Sequence, residues 1–179
     1  MVLAAFFPFT VLHLDDLGVW HVTAVMGLGQ ITEIIAMLGL AALLERLRLK
    51  WIFLAGIGIG VVRYALFALG GKAALFTGIF LHGFCFTLFV ITAQIYLERR
   101  VDAAMRARAQ ALLTLMMSGV GNLAGSLGSG WWRSACQTAN RTDWRLFWTG
   151  MTLAALGVFL FFALAYRGVK RRGGGGAEA

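Results

Sequence analysis

Residues 22–44 read VTAVMGLGQITEIIAMLGLAALL, with a single ionisable side chain, Glu33, near the middle. At 1.5 Å per residue a helix of that length is roughly 34 Å long, enough to cross a hydrocarbon core of about 30 Å. Periodicity adds nothing, because a helix surrounded by lipid is apolar on all sides. The run therefore predicts a membrane span. Four further stretches qualify on the same grounds: Trp51–Leu69, Leu75–Leu97, Ala109–Trp131 with its last tryptophan at the interface, and Trp144–Tyr166. Val2–Leu12 is apolar but only 11 residues long. It lacks a basic leader and a small-residue cleavage site, so it does not read as a signal peptide. It reads as an interfacial segment or as the tail end of a helix. The expected fold class is all-α transmembrane, with five full spans plus a partial N-terminal helix.

Composition agrees. Of 179 residues 60% are hydrophobic and 13% charged, and the mean hydropathy is +0.79. A soluble domain is nearer 45–50% apolar and about 25% charged. The net charge of +8 lies in short clusters between apolar runs. That is how a membrane protein carries its topology signal, and it argues against nucleic acid as a partner. Eleven basic residues, in 46–50, 99–108 and 167–172, fall on one side of the predicted spans, against four (Lys72, Arg133, Arg141, Arg145) on the other. The excess places the C-terminus in the cytoplasm and Asp15 and Asp16 outside. Trp51, Trp131, Trp132 and Trp144 sit at span ends as interfacial anchors. The expected division is a helical bundle over residues 1–166 and a basic, glycine-rich cytoplasmic tail over 167–179. Asn140-Arg141-Thr142 fits a glycosylation sequon, a pattern common by chance.

The polar residues inside the spans are the candidates for function. Glu33 is costly at mid-membrane and calls for a cavity or a partner. Gln30, three residues earlier, shares its helical face. Together they offer a protonatable acceptor and an amide, which suits a polar ligand with several hydrogen-bonding groups. The competing reading is that both bond a neighbouring helix. Arg63 is a second intramembrane charge, expected to pair with a carboxylate such as Glu33 or to cap backbone carbonyls. The third span carries His82, Thr87, Thr92 and Gln94; His82 reads as a structural residue or a proton carrier. Gly56 and Gly60, and Gly121, Gly125 and Ser129, have the four-residue spacing of closely packed helices. Gly119–Ala124 loosely fits a dinucleotide fingerprint, but no strand precedes it and it lies in an apolar span. The arginines of 98–108 suit anionic headgroups or simple anchoring of two helix ends. Cys85 and Cys136 are not expected to pair. With no Ser/His/Asp arrangement, metal-ligand cluster or phosphate loop, the sequence predicts no enzyme, no cofactor and no metal site.

Several segments in series resemble the nucleoside:proton symporter family, a branch of the major facilitator superfamily. Gly29-Gln30-Ile31-Thr32-Glu33 looks like that family's eighth-helix motif, and Val62-Arg63-Tyr64-Ala65-Leu66-Phe67-Ala68 like its ninth-helix arginine motif. His82-Gly83-Phe84-Cys85-Phe86 and Gln94-Ile95-Tyr96 are similar to its tenth helix. Arg106–Leu112 leads into the eleventh, and Thr142-Asp143-Trp144 precedes the last. Order and spacing agree over about residues 11–166.

The resemblance implies half of a major facilitator bundle, corresponding to the C-terminal half of a twelve-helix transporter. Val2–Leu12 then looks like the end of the seventh helix. It implies a nucleoside and protons as substrates of alternating access in a cell membrane, bound between two halves near mid-membrane. Gln30, Glu33, Phe86 and Thr87 would form the substrate site, with Phe86 stacking on the base, and Glu33 would take part in proton coupling. The family commonly has an aspartate directly after the aromatic, where this chain has Thr87. Threonine carries no titratable proton at physiological pH. Either Glu33 couples alone, or transport is altered or lost. The N-terminal half that the resemblance requires is expected from a separate chain, a second copy, or a longer reading frame. The alternative expectation is a non-transporting helical remnant or interaction subunit.

Overall fold

A computed structural model describes residues 2–138 and 141–165. The expected tail over 167–179, Tyr166 and Asn140 of the sequon lie outside the described residues. A 3-10 turn, Val2–Ala5, leads into α1 (Phe6–Asp16). Five helices long and apolar enough to cross a membrane follow: α2 (Val22–Arg46), α3 (Leu49–Leu69), α4 (Lys72–Arg100), α5 (Ala103–Ala135) and α6 (Trp144–Ala165). Between the last two, Gln137–Thr138 pairs antiparallel with Arg141–Thr142, Gln137 opposite Thr142.

All five predicted spans are present, but four of them extend beyond the predicted bounds at one or both ends. The 98–108 segment, read as a loop, is helical except for Val101 and Asp102. Between α2 and α3 only Leu47 and Arg48 are extended. The physical reason is that hydropathy marks only what lies in lipid. Arginine, glutamate and alanine propagate a helix well in the headgroup region and water, so α4 and α5 continue past the membrane edge. At the opposite end α3 turns into α4 through Gly70 and Gly71, with φ of 75° and 86°, a backbone that favours glycine.

α3 is the central post. It packs against α4 and α6, and α4 packs in turn against α2. The main core joins Phe6, Phe9 and Leu14 of α1 to Tyr64 and Phe67 of α3, Leu75 and Ile79 of α4, and Phe147 and Trp148 of α6. A smaller cluster of Leu40, Ile52 and Leu88 closes the other end. Close approach depends on glycine at Gly56 and Gly60, one of the two predicted series, whereas a Cβ on Gly121 of the other would meet only Met116 of its own helix. A Cβ on Gly56 would sit 3.1 Å from the Leu88 and Phe89 backbone, and one on Gly60 would sit 3.2 Å from Cys85 Sγ. The tightest crossing is one the spacing did not mark: a Cβ on Gly83 of α4 would run into the Glu33 backbone nitrogen and Thr32 Oγ1 of α2.

Two features had no sequence signature. α4 and α5 each contain a wide turn with i→i+5 hydrogen bonding, at Thr87–Ile91 and at Leu115–Gly121. In α4 the Thr92 hydroxyl donates to the Thr87 carbonyl at 3.1 Å, bonding an acceptor within the widened segment. Polar links fasten the ends of the bundle. Lys50 Nζ donates to the Ala163 carbonyl at 2.9 Å, satisfying one of the last carbonyls of α6. At the opposite end Trp144 Nε1 donates to Asp16 at 2.7 Å, and buried Trp148 donates to His13 Nδ1 at 2.9 Å. Both cysteines are free. Cys136, at the turn after α5, has its thiol pushed above the ordinary value by burial and then by the Asp143 carboxylate.

Candidate functional site

A cavity of about 760 Å³ lies between the N-terminal segment, α4 and α5. Its α4 wall includes His82, Phe86, Val90 and Gln94 with Phe89 beside them, and its α5 wall sets Thr114, Ser118, Asn122 and Ser126 among Leu113, Met116 and Met117. Phe7 and Pro8 of α1 close one side. Both walls use a four-residue spacing, and on α5 every residue in that series is polar. Polar groups at membrane depth are costly unless they face water or a partner, so a run of four on one stripe marks a wetted surface. One wall is thus aromatic with an imidazole and an amide. The other offers hydroxyls and an amide that both donate and accept.

The candidate residues divide between this cavity and the seam behind it. Phe86 lines the cavity. Thr87, one residue on, turns away and is fully buried, its hydroxyl donating to the Glu33 carbonyl oxygen at 3.4 Å. Glu33 is half-buried and Gln30 exposed on α2; neither lines the cavity. The seam is nevertheless adjacent to it, because Gly29 packs on the His82 ring and Gly83 on the Glu33 backbone. Among the described residues the Glu33 carboxylate has neither a hydrogen bond nor an ion pair.

Arg63 has a different partner from the one expected. It is fully buried, and its Nη1 lies 2.6 Å from His82 Nδ1. Its guanidinium carbon sits 4.3 Å from the Phe6 ring centroid and 4.6 Å from that of Tyr64. The correction has a topological reason. α4 contacts α2 through His82 and Gly83 and contacts α3 through Cys85 and Leu88, so Arg63 meets α4 and α1 rather than Glu33. Two ring faces and an imidazole replace the carboxylate as its environment; such cation–π contacts are worth about 0.5–2 kcal/mol each.

Reading the sequence residue by residue missed the α5 wall, although a signal was there. Thr114, Ser118, Asn122 and Ser126 recur at a constant interval through a mainly apolar span. Phe6 was missed for a different reason: nothing local marks an aromatic as the surface on which a histidine and an arginine both rest.

Fold and cavity define a polytopic membrane protein whose helices form an open, largely apolar cleft with a few polar groups set into its walls. Comparison with known proteins makes this specific. The sequence profile described as Nucleoside H+ symporter matches residues 1–171, and the chain belongs to that family. It is 36% identical over 131 residues to YegT of Escherichia coli K12, covering 70% of this chain and 31% of that protein. It is 30% identical over 150 residues to the nucleoside permease NupG of the same organism, covering 81% and 35%. It is 28% identical over 159 residues to its xanthosine permease, covering 85% and 38%. Two crystal structures of the nucleoside transporter NupG share the fold, with TM-scores of 0.80 and 0.76 at 24% identity. They cover 93% of this chain and 46% and 48% of those chains, so the fold corresponds to half of a major facilitator transporter. The chain spans about a third of the length of the relatives it matches in sequence.

Proposed function

We propose that this chain supplies one bundle of a proton-coupled, alternating-access nucleoside transporter of the cell membrane. The cavity is the observation that carries the reading. Its ~760 Å³ falls in the range of small-ligand sites, and an apolar lining carries an aromatic ring on one wall and hydroxyl and amide groups on the other. The flat base stacks on Phe86, and the hydroxylated sugar meets the Ser, Thr and Asn stripe of α5. Membership of a symporter family supports the substrate and the coupling ion alike.

Glu33 is the proton carrier in this reading. It is the carboxylate at mid-span, and Thr87 next to it has no acid to offer. Gln30 and Glu33 lie on a face of α2 that carries polar groups without covering them. That arrangement suits a second bundle, supplied by another chain or by a second copy of this one, across a substrate path between the two. The basic residues at Arg46–Lys50 and Arg99–Arg108 support an orientation with the C-terminus in the cytoplasm. Residues 1–166 are the bundle and 167–179 the tail.

The test is uptake of a radiolabelled nucleoside by transport-deficient cells expressing wild type, Phe86→Ala or Glu33→Gln, with and without a protonophore. Wild type accumulates the nucleoside and loses accumulation with the protonophore. Phe86→Ala lowers uptake about tenfold, the worth of one aromatic stack. Glu33→Gln loses accumulation. Equal uptake by wild type and Glu33→Gln removes Glu33 from coupling. No uptake by any of the three shows that the chain does not transport by itself and favours a role as an interaction subunit.

A further inference from the structure

Arg63 is chemically one-sided, because a guanidinium donates hydrogen bonds and accepts none. Its Nη1 lies 2.6 Å from His82 Nδ1, so in that contact Nδ1 is the acceptor and carries no proton. The ring proton then sits on Nε2, at the other edge of the imidazole. The ring is also mechanically fixed. It stacks on Phe6 with centroids 4.1 Å apart and planes 13° apart, and Phe7 meets it edge-on at 5.3 Å. Its Cδ2 edge is held against Gly29, where an added Cβ would lie 3.2 Å away. His82 lines the cavity, and Nε2 has no hydrogen-bond partner among the described residues. Arg63 is itself fully buried, with Nε and Nη2 lacking partners among the described residues.

We propose that Arg63 is a positioning residue that locks His82 as the Nε2–H tautomer, so that a fixed hydrogen-bond donor serves an acceptor atom on a ligand in the α4–α5 cavity. Arg63 does not touch the ligand. It acts by making the imidazole a donor on the side away from itself, and Phe6 holds both groups in plane. A cavity with this donor favours ligands that present an acceptor at that point, such as the ring carbonyl of a nucleobase. The ligand class rests on the nucleoside reading above; the tautomer lock does not.

The experiment separates the two. Nitrogen NMR on the full chain with 15N-labelled histidine reports tautomer and protonation directly, and loss of one signal in His82→Gln assigns His82 against His13 and His21. Wild-type His82 shows one nitrogen of protonated type and one of acceptor type, assigned as the Nε2–H form, unchanged between about pH 5 and 8. Arg63→Gln, whose amide both donates and accepts, shows a mixture of tautomers or an imidazolium signal growing as pH falls. Arg63→Lys, a donor-only cation, keeps the wild-type form. A wild-type His82 in the Nδ1–H form or as imidazolium overturns the proposal even if no variant folds. So does an Arg63→Gln protein that folds and keeps a pure Nε2–H form.

Binding of a radiolabelled nucleoside to the same preparations gives the second arm. His82→Phe, which keeps a ring but has no donor, weakens binding about tenfold, and Arg63→Gln weakens it about twofold, the loss expected when half of the population leaves the Nε2–H form. Equal binding by wild type and Arg63→Gln overturns the link between the lock and the ligand. Absence of nucleoside binding by wild type, with the tautomer locked, overturns the nucleoside reading and supports the lock alone.

Discussion

α4 and α5 form the two walls of one cavity, yet they are held in very different ways. In α4, 44% of the most apolar stretch is buried inside the bundle; in α5 the share is 6%. α4 is wedged between α2 and α3 by glycine contacts on both sides. α5 buries little beyond Gly125 and Ser129, and packs chiefly on the N-terminal turn Val2–Ala5. One wall is therefore part of the frame and the other rests on it. In a membrane, where apolar side chains gain little by leaving lipid, the difference is one of close packing rather than hydrophobicity. A wall with few packing contacts is the one whose position a ligand or a second bundle can set.

That contrast can be tested from its strongest point downward. Trp148→Ala removes a fully buried indole from the α1–α3–α6 frame along with its bond to His13. It should cost about 3–5 kcal/mol and lower the melting temperature in detergent by the largest amount of any variant named here. Gly83→Ala places a methyl group against the α2 backbone and should cost about 1–3 kcal/mol, because neither backbone can yield without opening the seam. Its counterpart on α5, Gly130→Ala, adds a methyl where nothing lies within 4 Å, and the melting temperature should stay within error of wild type. Equal losses at the two glycines would dissolve the distinction between frame and wall. Smaller still, Gln110→Leu removes the 2.9 Å bond from Gln110 Nε2 to the Gln94 carbonyl that ties α5 to α4. It should cost about 1 kcal/mol of stability at most and show instead as faster hydrogen exchange at the start of α5.

The spans were legible because lipid imposes a length and a composition that few other environments share. Their ends were not, since Arg99, Arg100, Arg106 and Arg108 read as loop charges while remaining good helix formers outside the lipid. Gly56 and Gly60 announced a close approach, and the structure places α4 there. Gly83 gave less notice, having no glycine, alanine or serine four positions away on either side. The candidate site was partly legible. Phe86 lines the cavity, whereas Gln30, Glu33 and Thr87 do not, and Thr87 touches only the Glu33 backbone carbonyl. Arg63 stood out as a buried charge, but its partner is decided by which helix lies beside it, and that is a property of the whole bundle. A hydrogen bond to an imidazole and two ring faces can surround a guanidinium without any complementary charge for the sequence to display.

The wide turns in α4 and α5 act as a vernier. Residues four apart on a regular α-helix overshoot a full turn by about 40°, so a series of four such residues fans out over about 120°. His82, Phe86, Val90 and Gln94 do not fan away from the cavity, and neither do Thr114, Ser118, Asn122 and Ser126. In each series a turn closed by i→i+5 bonds lies inside the run and takes up the accumulated angle. Deleting one residue from either turn would leave span length and hydropathy almost unchanged and swing the far end of that wall out of phase. The chamber is tuned by two local losses of rotation, one in a fixed wall and one in a loose wall.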